Sequence, residues 1–119
     1  MTDIFVFGSN LAGRHGKGAA LEAKNKWGAI YGQGIGLQGR SYAIPTKDGR
    51  LQPLDLDEID DFVDEFLDFA KIHPEYNFIL TPIGCGLTGY KYEQIAPLFK
   101  YHTLNVILPK EFEEVLNAK

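Results

Sequence analysis

Two glycine-rich loops, Gly8-Ser9-Asn10-Leu11-Ala12-Gly13-Arg14-His15-Gly16-Lys17-Gly18 and Pro82-Ile83-Gly84-Cys85-Gly86-Leu87-Thr88-Gly89-Tyr90, each leave a short apolar run and lead into a helical pattern. Apolar runs cut off by glycine are the mark of strands buried on both faces, and strands alternating with helices build a covered α/β sheet. A third segment, Ser41-Tyr42-Ala43-Ile44-Pro45-Thr46-Lys47-Asp48, ends its apolar run on a lysine. With Ile4 to Phe7, Tyr42 to Ile44 and Phe78 to Leu80 as neighbouring strands, the three loops open at one sheet edge, where α/β proteins hold ligands. The expected architecture is a three-layer α/β/α mixed sheet with helices on both faces.

At 119 residues the chain is expected to form one domain, spanning residues 1–119. A hydrophobic share of 45% excludes a disordered chain, and a net charge of −4 argues against a broad nucleic-acid surface. A compact anion is still compatible with that charge, because backbone N–H groups and a few local cations suffice to hold it. The single cysteine, Cys85, excludes an internal disulfide and a cysteine-based metal cluster, and fits a reducing, cytoplasmic compartment. No apolar run approaches the ~20 residues of a membrane span, so no membrane partner is expected, and neither a metal nor a cofactor is implied.

Along the chain, Ala19, Ala20, Ala23 and Trp27 recur at helical spacing, with Gly28 as a stop signal. Ala29-Ile30-Tyr31 reads as a short strand, and Lys47-Asp48-Gly49-Arg50 as a turn or hairpin tip. The clearest helix begins near Asp55, which stands at capping-box spacing from Glu58, and runs to about Ile72 before Pro74. Ile59, Phe62, Val63, Phe66, Phe69 and Ala70 form its apolar stripe, and its other face is strongly acidic. A helix over Glu93 to Phe99, a strand over Leu104 to Leu108 and a last helix opened by Pro109 complete the pattern.

Several chemistries compete for these loops. Gly8-x4-Gly13 tempts toward a phosphate-binding P-loop, but Arg14 and His15 stand where Lys and Ser/Thr would hold phosphate and magnesium. Gly34-Ile35-Gly36-Leu37-Gln38-Gly39 spells a dinucleotide fingerprint, yet a strand follows it instead of a helix, which removes its physical basis. Asn10 either fixes a ligand hydroxyl or stabilises its own turn. Arg14, His15 and Lys17 are candidates for phosphate, with solvent the alternative. Cys85 precedes a helix and is either a thiol nucleophile or a small residue filling a tight loop. Lys47 is the stronger nucleophile candidate, since an amine shielded by apolar neighbours and ligand is pushed toward its neutral form.

Taken in order, these segments resemble the macrodomain superfamily of ADP-ribose binders, and within it the branch containing terminal ADP-ribose protein glycohydrolase. His15-Gly16-Lys17-Gly18-Ala19 stands against that branch's Met-Gly-Ala-Gly turn, and Trp27-Gly28 against its Phe-Gly. Tyr42-Ala43-Ile44-Pro45-Thr46-Lys47 stands against Tyr-Leu-Ile-Thr-Lys, one residue longer because of Pro45. The phosphate loop Arg-Ile-Gly-Cys-Gly-Leu-Asp is matched by Pro82-Ile83-Gly84-Cys85-Gly86-Leu87-Thr88, and the likeness covers roughly Ile4 to Leu108. The overall spelling also looks like a compact macrodomain-like family of bacteriophages and bacteria, which implies the host cytoplasm for a phage-encoded member.

The resemblance implies Lys47 as the catalytic residue that attacks the distal ribose. It implies Ser9, Asn10, His15, Gly16, Lys17, Gly18, Ile83, Gly84, Cys85, Gly86, Leu87, Thr88, Gly89 and Tyr90 as ligand-binding residues. The expected partner is ADP-ribose or an ADP-ribose-like nucleotide, free or attached to a protein or nucleic acid. The branch's product-releasing aspartate is Thr88 here, which cannot act as a carboxylate base, and Asp48, next to Lys47, is the candidate to replace it if its turn folds back. The family's early adenine-binding Gly-Asp has no clear counterpart, Asp3 being the one nearby acid. Hydrolysis of ADP-ribose from a modified substrate therefore stands beside two alternatives: a binder or sponge of a nucleotide signal, and a protein-interaction domain using the acidic helix 55–72.

Overall fold

Alternation along the strands decides the layering. In the computed structural model, which describes residues 2–118, Ile4 and Val6 face one apolar cluster while Phe5 and Phe7 face another. Both faces of β1 (Thr2–Asn10) are therefore covered, as its unbroken apolar run requires. The elements follow in the order β1, α1 (Gly18–Lys26), β2 (Gly36–Gln38), β3 (Ser41–Lys47), α2 (Leu56–Ile72), β4 (Tyr76–Leu80), α3 (Tyr92–Ile95), a 3-10 turn (Ala96–Phe99), β5 (Val106–Ile107) and α4 (Lys110–Asn117).

The five strands form one sheet in the order β2-β3-β1-β4-β5. β1 runs parallel to β3 and to β4, β4 runs parallel to β5, and β2 alone is antiparallel. Helix α1 packs Ala20 and Ala23 on the Phe5, Phe7 and Ala43 face; α2, the 3-10 turn and α4 cover the face of Ile4, Val6, Ile44 and Phe78. The chain is thus a three-layer α/β/α domain with a mixed sheet, as expected.

Strand order reverses at β1, because the chain leaves it toward β3 on one side and later returns to β4 on the other. The loops after β1 and β4 consequently depart to opposite faces of the sheet. A crevice opens between their strand ends, as at the switch point of other doubly wound sheets.

Helix α2 forms where the sequence says it should. The Asp55 carboxylate accepts from the Glu58 N–H at 2.8 Å, and the Glu58 carboxylate accepts from the Asp55 N–H at 3.3 Å. This reciprocal cap fixes the first turn, and Ile59, Val63, Phe66 and Ala70 are then fully buried along one stripe. Phe66 meets Tyr42, Phe78 and Phe99 in edge-to-face contacts; burying such a ring contributes about 2–3 kcal/mol.

Four local expectations are corrected. Ala29-Ile30-Tyr31 is a loop, not a strand, because the Ile30 N–H donates to the Gln38 side chain at 2.8 Å rather than to a neighbouring strand. The helix expected over Glu93 to Phe99 starts one residue earlier and changes to a 3-10 turn at Ala96, since Pro97 has no N–H to continue the α ladder. The strand over Leu104 to Leu108 shrinks to Val106–Ile107, with Leu104 fully exposed in the preceding turn. The loop after β1 starts at Leu11 instead of Gly8, so Ser9 and Asn10 belong to the strand.

Candidate functional site

A cleft of about 760 Å³ occupies the crevice, a size usual for a small-molecule site. The end of β1 supplies Gly8, Ser9 and Asn10, the end of β3 supplies Thr46 and Lys47, and the loop after β4 supplies the run 81–88. Close packing brings these together: a Cβ placed on Gly8 would lie 3.3 Å from Ile83.

The pairing of β1 with β3 slips just here. Ser9 pairs with Pro45 and Asn10 with Lys47, so Thr46 is an extra residue in β3. Such a bulge lets two consecutive side chains face the same side, and both Thr46 and Lys47 border the cleft. The Thr46 hydroxyl lies 3.0 Å from that of Thr88, which ties the β4 loop to the end of β3.

Two rows of backbone donors open into this space. The first belongs to α1, whose first-turn amides at Gly18, Ala19 and Ala20 have no intrahelical acceptor. Lys17 at the N-cap gives no side-chain cap, no acid occupies the first turn, and Gly16 to Ala20 border the cleft. The second row lies in the β4 loop, where among the described residues no hydrogen bond engages the N–H of Gly84, Gly86, Leu87 or Thr88. Arg14, Lys17 and Lys47 border the same cleft and no carboxylate does, in a chain of net charge −4. Amides and cations converging with no carboxylate in the lining make a local field suited to an anion, which Glu93 and Glu111, near enough to act on Cys85, partly oppose.

Gly16 and Gly86 add a steric argument. Neither has a left-handed φ, and a Cβ on either would meet nothing within 4 Å. Nothing inside the chain demands glycine at these two positions, whereas a ligand pressed against the backbone would.

Most of the residues expected at the site gather here: Ser9, Asn10, Gly16, Lys17, Gly18 and Lys47 from the first and third segments, and Ile83 to Thr88 from the second. Three do not, and are corrected. His15 is buried away from the cleft, edge-on to Phe7, with Nε2 facing the Gln33 carbonyl at 3.0 Å and the Gln38 side-chain oxygen at 3.2 Å. Two acceptors at one nitrogen assign its proton to Nε2, and the ring serves to pin the 32–38 loop. Gly89, at φ +91, lies outside the cleft lining. Tyr90 packs against the core instead and donates its hydroxyl to the Leu54 carbonyl at 2.5 Å.

Asn10 borders the cleft but works on its own loop: its side-chain oxygen accepts from the Arg14 N–H at 2.9 Å and its amide donates to the Arg14 carbonyl at 3.0 Å. The fingerprint Gly34 to Gly39 is structural. Gly34 accepts the Ser9 hydroxyl, and none of these glycines reaches the cleft. Asp48 stays out as well, its carboxylate accepting from the Arg50 and Gln52 amides at 2.8 and 3.0 Å.

Burial, and then the carboxylates of Glu93 and Glu111, push the Cys85 thiol up to about 11. A thiol held protonated at neutral pH favours the loop-filling reading over the nucleophile. Tyr31, Leu51 and Tyr92 also border the cleft and carry no motif that marks them in sequence. Among the described residues, no group of three or more His, Cys, Asp or Glu side chains stands together to hold a metal ion. No helix there is long and apolar enough to cross a membrane.

Fold and cleft together define an α/β domain whose crevice lies at the switch point of its sheet. No protein-family model and no curated protein matches the sequence. Among solved structures, a protein of unknown function from Bacteroides thetaiotaomicron is similar, with a TM-score of 0.61 at 22% identity over 83% of this chain and 78% of that one. At that identity the likeness concerns the fold.

Proposed function

We propose that this domain binds ADP-ribose or a close derivative, with the pyrophosphate over the amides of Gly84 to Thr88 and the first turn of α1, within reach of Lys47. The observation that carries the reading is the convergence of two rows of unpartnered backbone N–H groups with Arg14, Lys17 and Lys47 in one cleft free of carboxylates. A diphosphate is the compact dianion that such a double row of donors fits. The open backbone at Gly16 and Gly86 supports close approach of the ligand, and the resemblance of the Ile83-Gly84-Cys85-Gly86-Leu87 string to the macrodomain phosphate loop supports the nucleotide class.

Binding is favoured over hydrolysis. Attack by Lys47 on the anomeric carbon would need a partner to move protons. Thr88 takes the place of the glycohydrolase aspartate and shares its hydroxyl with Thr46, while Asp48 is committed to its turn. The domain is then a reader or sponge of the nucleotide.

Calorimetry with ADP-ribose at pH 7.5 is expected to give a Kd of about 1–50 μM, equivalent to roughly −8 to −6 kcal/mol. Charge reversal at Lys17 is expected to weaken it at least tenfold. No heat with ADP-ribose or any other adenine nucleotide would overturn the proposal. Release of ADP-ribose from a modified protein that disappears in Lys47→Ala would convert the binder into a hydrolase.

A further inference from the structure

The turn after β3 holds a side chain in a conformation that leucine disfavours, and the chain itself makes little use of it. Leu51 has φ +64, and it is the one non-glycine residue with positive φ among those described. The Asp48 carboxylate, accepting from Arg50 and Gln52, and the Leu51 N–H, donating to the Asp48 carbonyl at 3.1 Å, lock that geometry. Turns of this kind ordinarily place Gly or Asn at the left-handed position, because an L side chain is strained there. Gly49, two residues earlier, needs neither a left-handed φ nor close approach. The turn's glycine sits where none is required and its leucine where one would be.

Leu51 is 40% exposed and borders the cleft. Leu87, next to Thr88 on the β4 loop, is 73% exposed and borders it too. The Thr46–Thr88 contact holds their two loops together beside Lys47. Apolar side chains give nothing to phosphate. Set around an anion-binding floor, they suit an uncharged ring carried by the same ligand.

We propose that Leu51 and Leu87 are specificity residues that grip the flat, uncharged ring of the nucleoside attached to the bound phosphates, and that the strain at Leu51 persists because of this contact. The inference rests on reading the cleft as a nucleotide site, and it adds which side chains tell a nucleotide from a bare phosphate.

The test compares ADP-ribose with inorganic pyrophosphate on the full chain, its Leu51→Asn variant and its Leu87→Ser variant, by calorimetry alongside thermal melts. Asn accepts the left-handed region readily, so Leu51→Asn is expected to keep or slightly raise the melting temperature. Its Kd for ADP-ribose is expected to rise about tenfold while that for pyrophosphate moves less than twofold, and Leu87→Ser is expected to do the same. Unchanged ADP-ribose affinity in both variants overturns the clamp and leaves the anion site standing. Equal weakening toward both ligands overturns it too, since the turn would then act by positioning Lys47. A wild-type chain that binds pyrophosphate but not ADP-ribose refutes the ring contact alone, and one that binds neither removes the nucleotide reading together with the clamp.

Discussion

Glycine has different neighbours in the cleft and behind it, and alanine substitution separates the two cases. At Gly86 a Cβ would enter open space at the rim of the unpartnered amides, with a backbone conformation that alanine accepts. Gly86→Ala is therefore expected to stabilise the unliganded domain by about 0.4–1 kcal/mol through the unfolded state while weakening ADP-ribose binding about tenfold. At Gly34 a Cβ would lie 2.2 Å from the Asn10 carbonyl oxygen, and the neighbour is backbone that cannot step aside. Gly34→Ala is expected to cost about 1–3 kcal/mol in a urea titration, because it pries the 32–36 segment from the end of β1 and strains the Ser9–Gly34 hydrogen bond. Equal effects of the two substitutions on stability would show that Gly86 is a folding residue and that nothing needs to press against it. A sequence records both positions as the same letter. Only the neighbours of the missing Cβ tell a ligand-facing glycine from one that lets two backbones meet. His15 misleads for the same reason: a histidine between glycines before a helix has the spelling of a ligand residue, and its tucked position against Phe7 is a tertiary fact.

Helix α2 shows where sequence and structure agree and what the agreement costs. Its start depends on the Asp55–Glu58 box, so Asp55→Ala is expected to lower stability by about 1 kcal/mol without changing ligand affinity, the cap being outside the cleft lining. Along its exposed face, the carboxyl of Asp60 is held above its usual range by partial desolvation and then by Asp64, Asp61 and Asp57. A carboxyl that binds its proton more tightly when folded than when unfolded gains stability as pH falls through its titration and costs stability once it ionises. Asp60→Asn is thus expected to raise the melting temperature at pH 7, with the gain fading as pH falls through the raised titration of the carboxyl and gone below the ordinary Asp value of about 3.9. A gain that persists in acid would point to a cause other than charge. The buried strands and α2 were legible because periodicity, glycine stops and a capping box all coincide there. Other elements lacked such agreement. Ala29-Ile30-Tyr31 has the apolar content of a strand, but the Gln38 side chain takes the Ile30 N–H and Ile30 and Tyr31 are 53% and 58% exposed, and Pro97 breaks a helix whose apolar spacing runs straight through it. The cleft's loops were legible from their glycines. Its apolar rim was not, since Leu51 borders the site only because Asp48 forces a left-handed turn that no spelling announces.

On the scale of the whole molecule, charge is divided between the faces of the sheet and the crevice at its edge. Sixteen acids outnumber twelve Lys and Arg, and seven of the acids, from Asp57 to Asp68, lie on α2, whereas Arg14, Lys17 and Lys47 border a cleft without carboxylates. Salt acts on the two regions with opposite sign. Screening relieves repulsion along α2, so the midpoint of the unliganded domain is expected to climb as NaCl rises from about 0.1 to 1 M and the Debye length falls from about 10 to 3 Å. The same screening weakens the hold of the cleft's cations on a diphosphate. One series of melts reads both effects. With ADP-ribose fixed at about one hundred times its low-salt Kd, the proposed binding would add about 2.7 kcal/mol of stability, and a tenfold loss of affinity at high salt would remove about 1.3 kcal/mol of it. The liganded and unliganded midpoints are therefore expected to converge while the unliganded one rises. Parallel curves would mean that the anion is held by amides alone and that the three cations are ornaments of the rim. A falling unliganded midpoint would mean that the acidic face is paired rather than self-repelling, against the direction in which the Asp60 carboxyl is shifted.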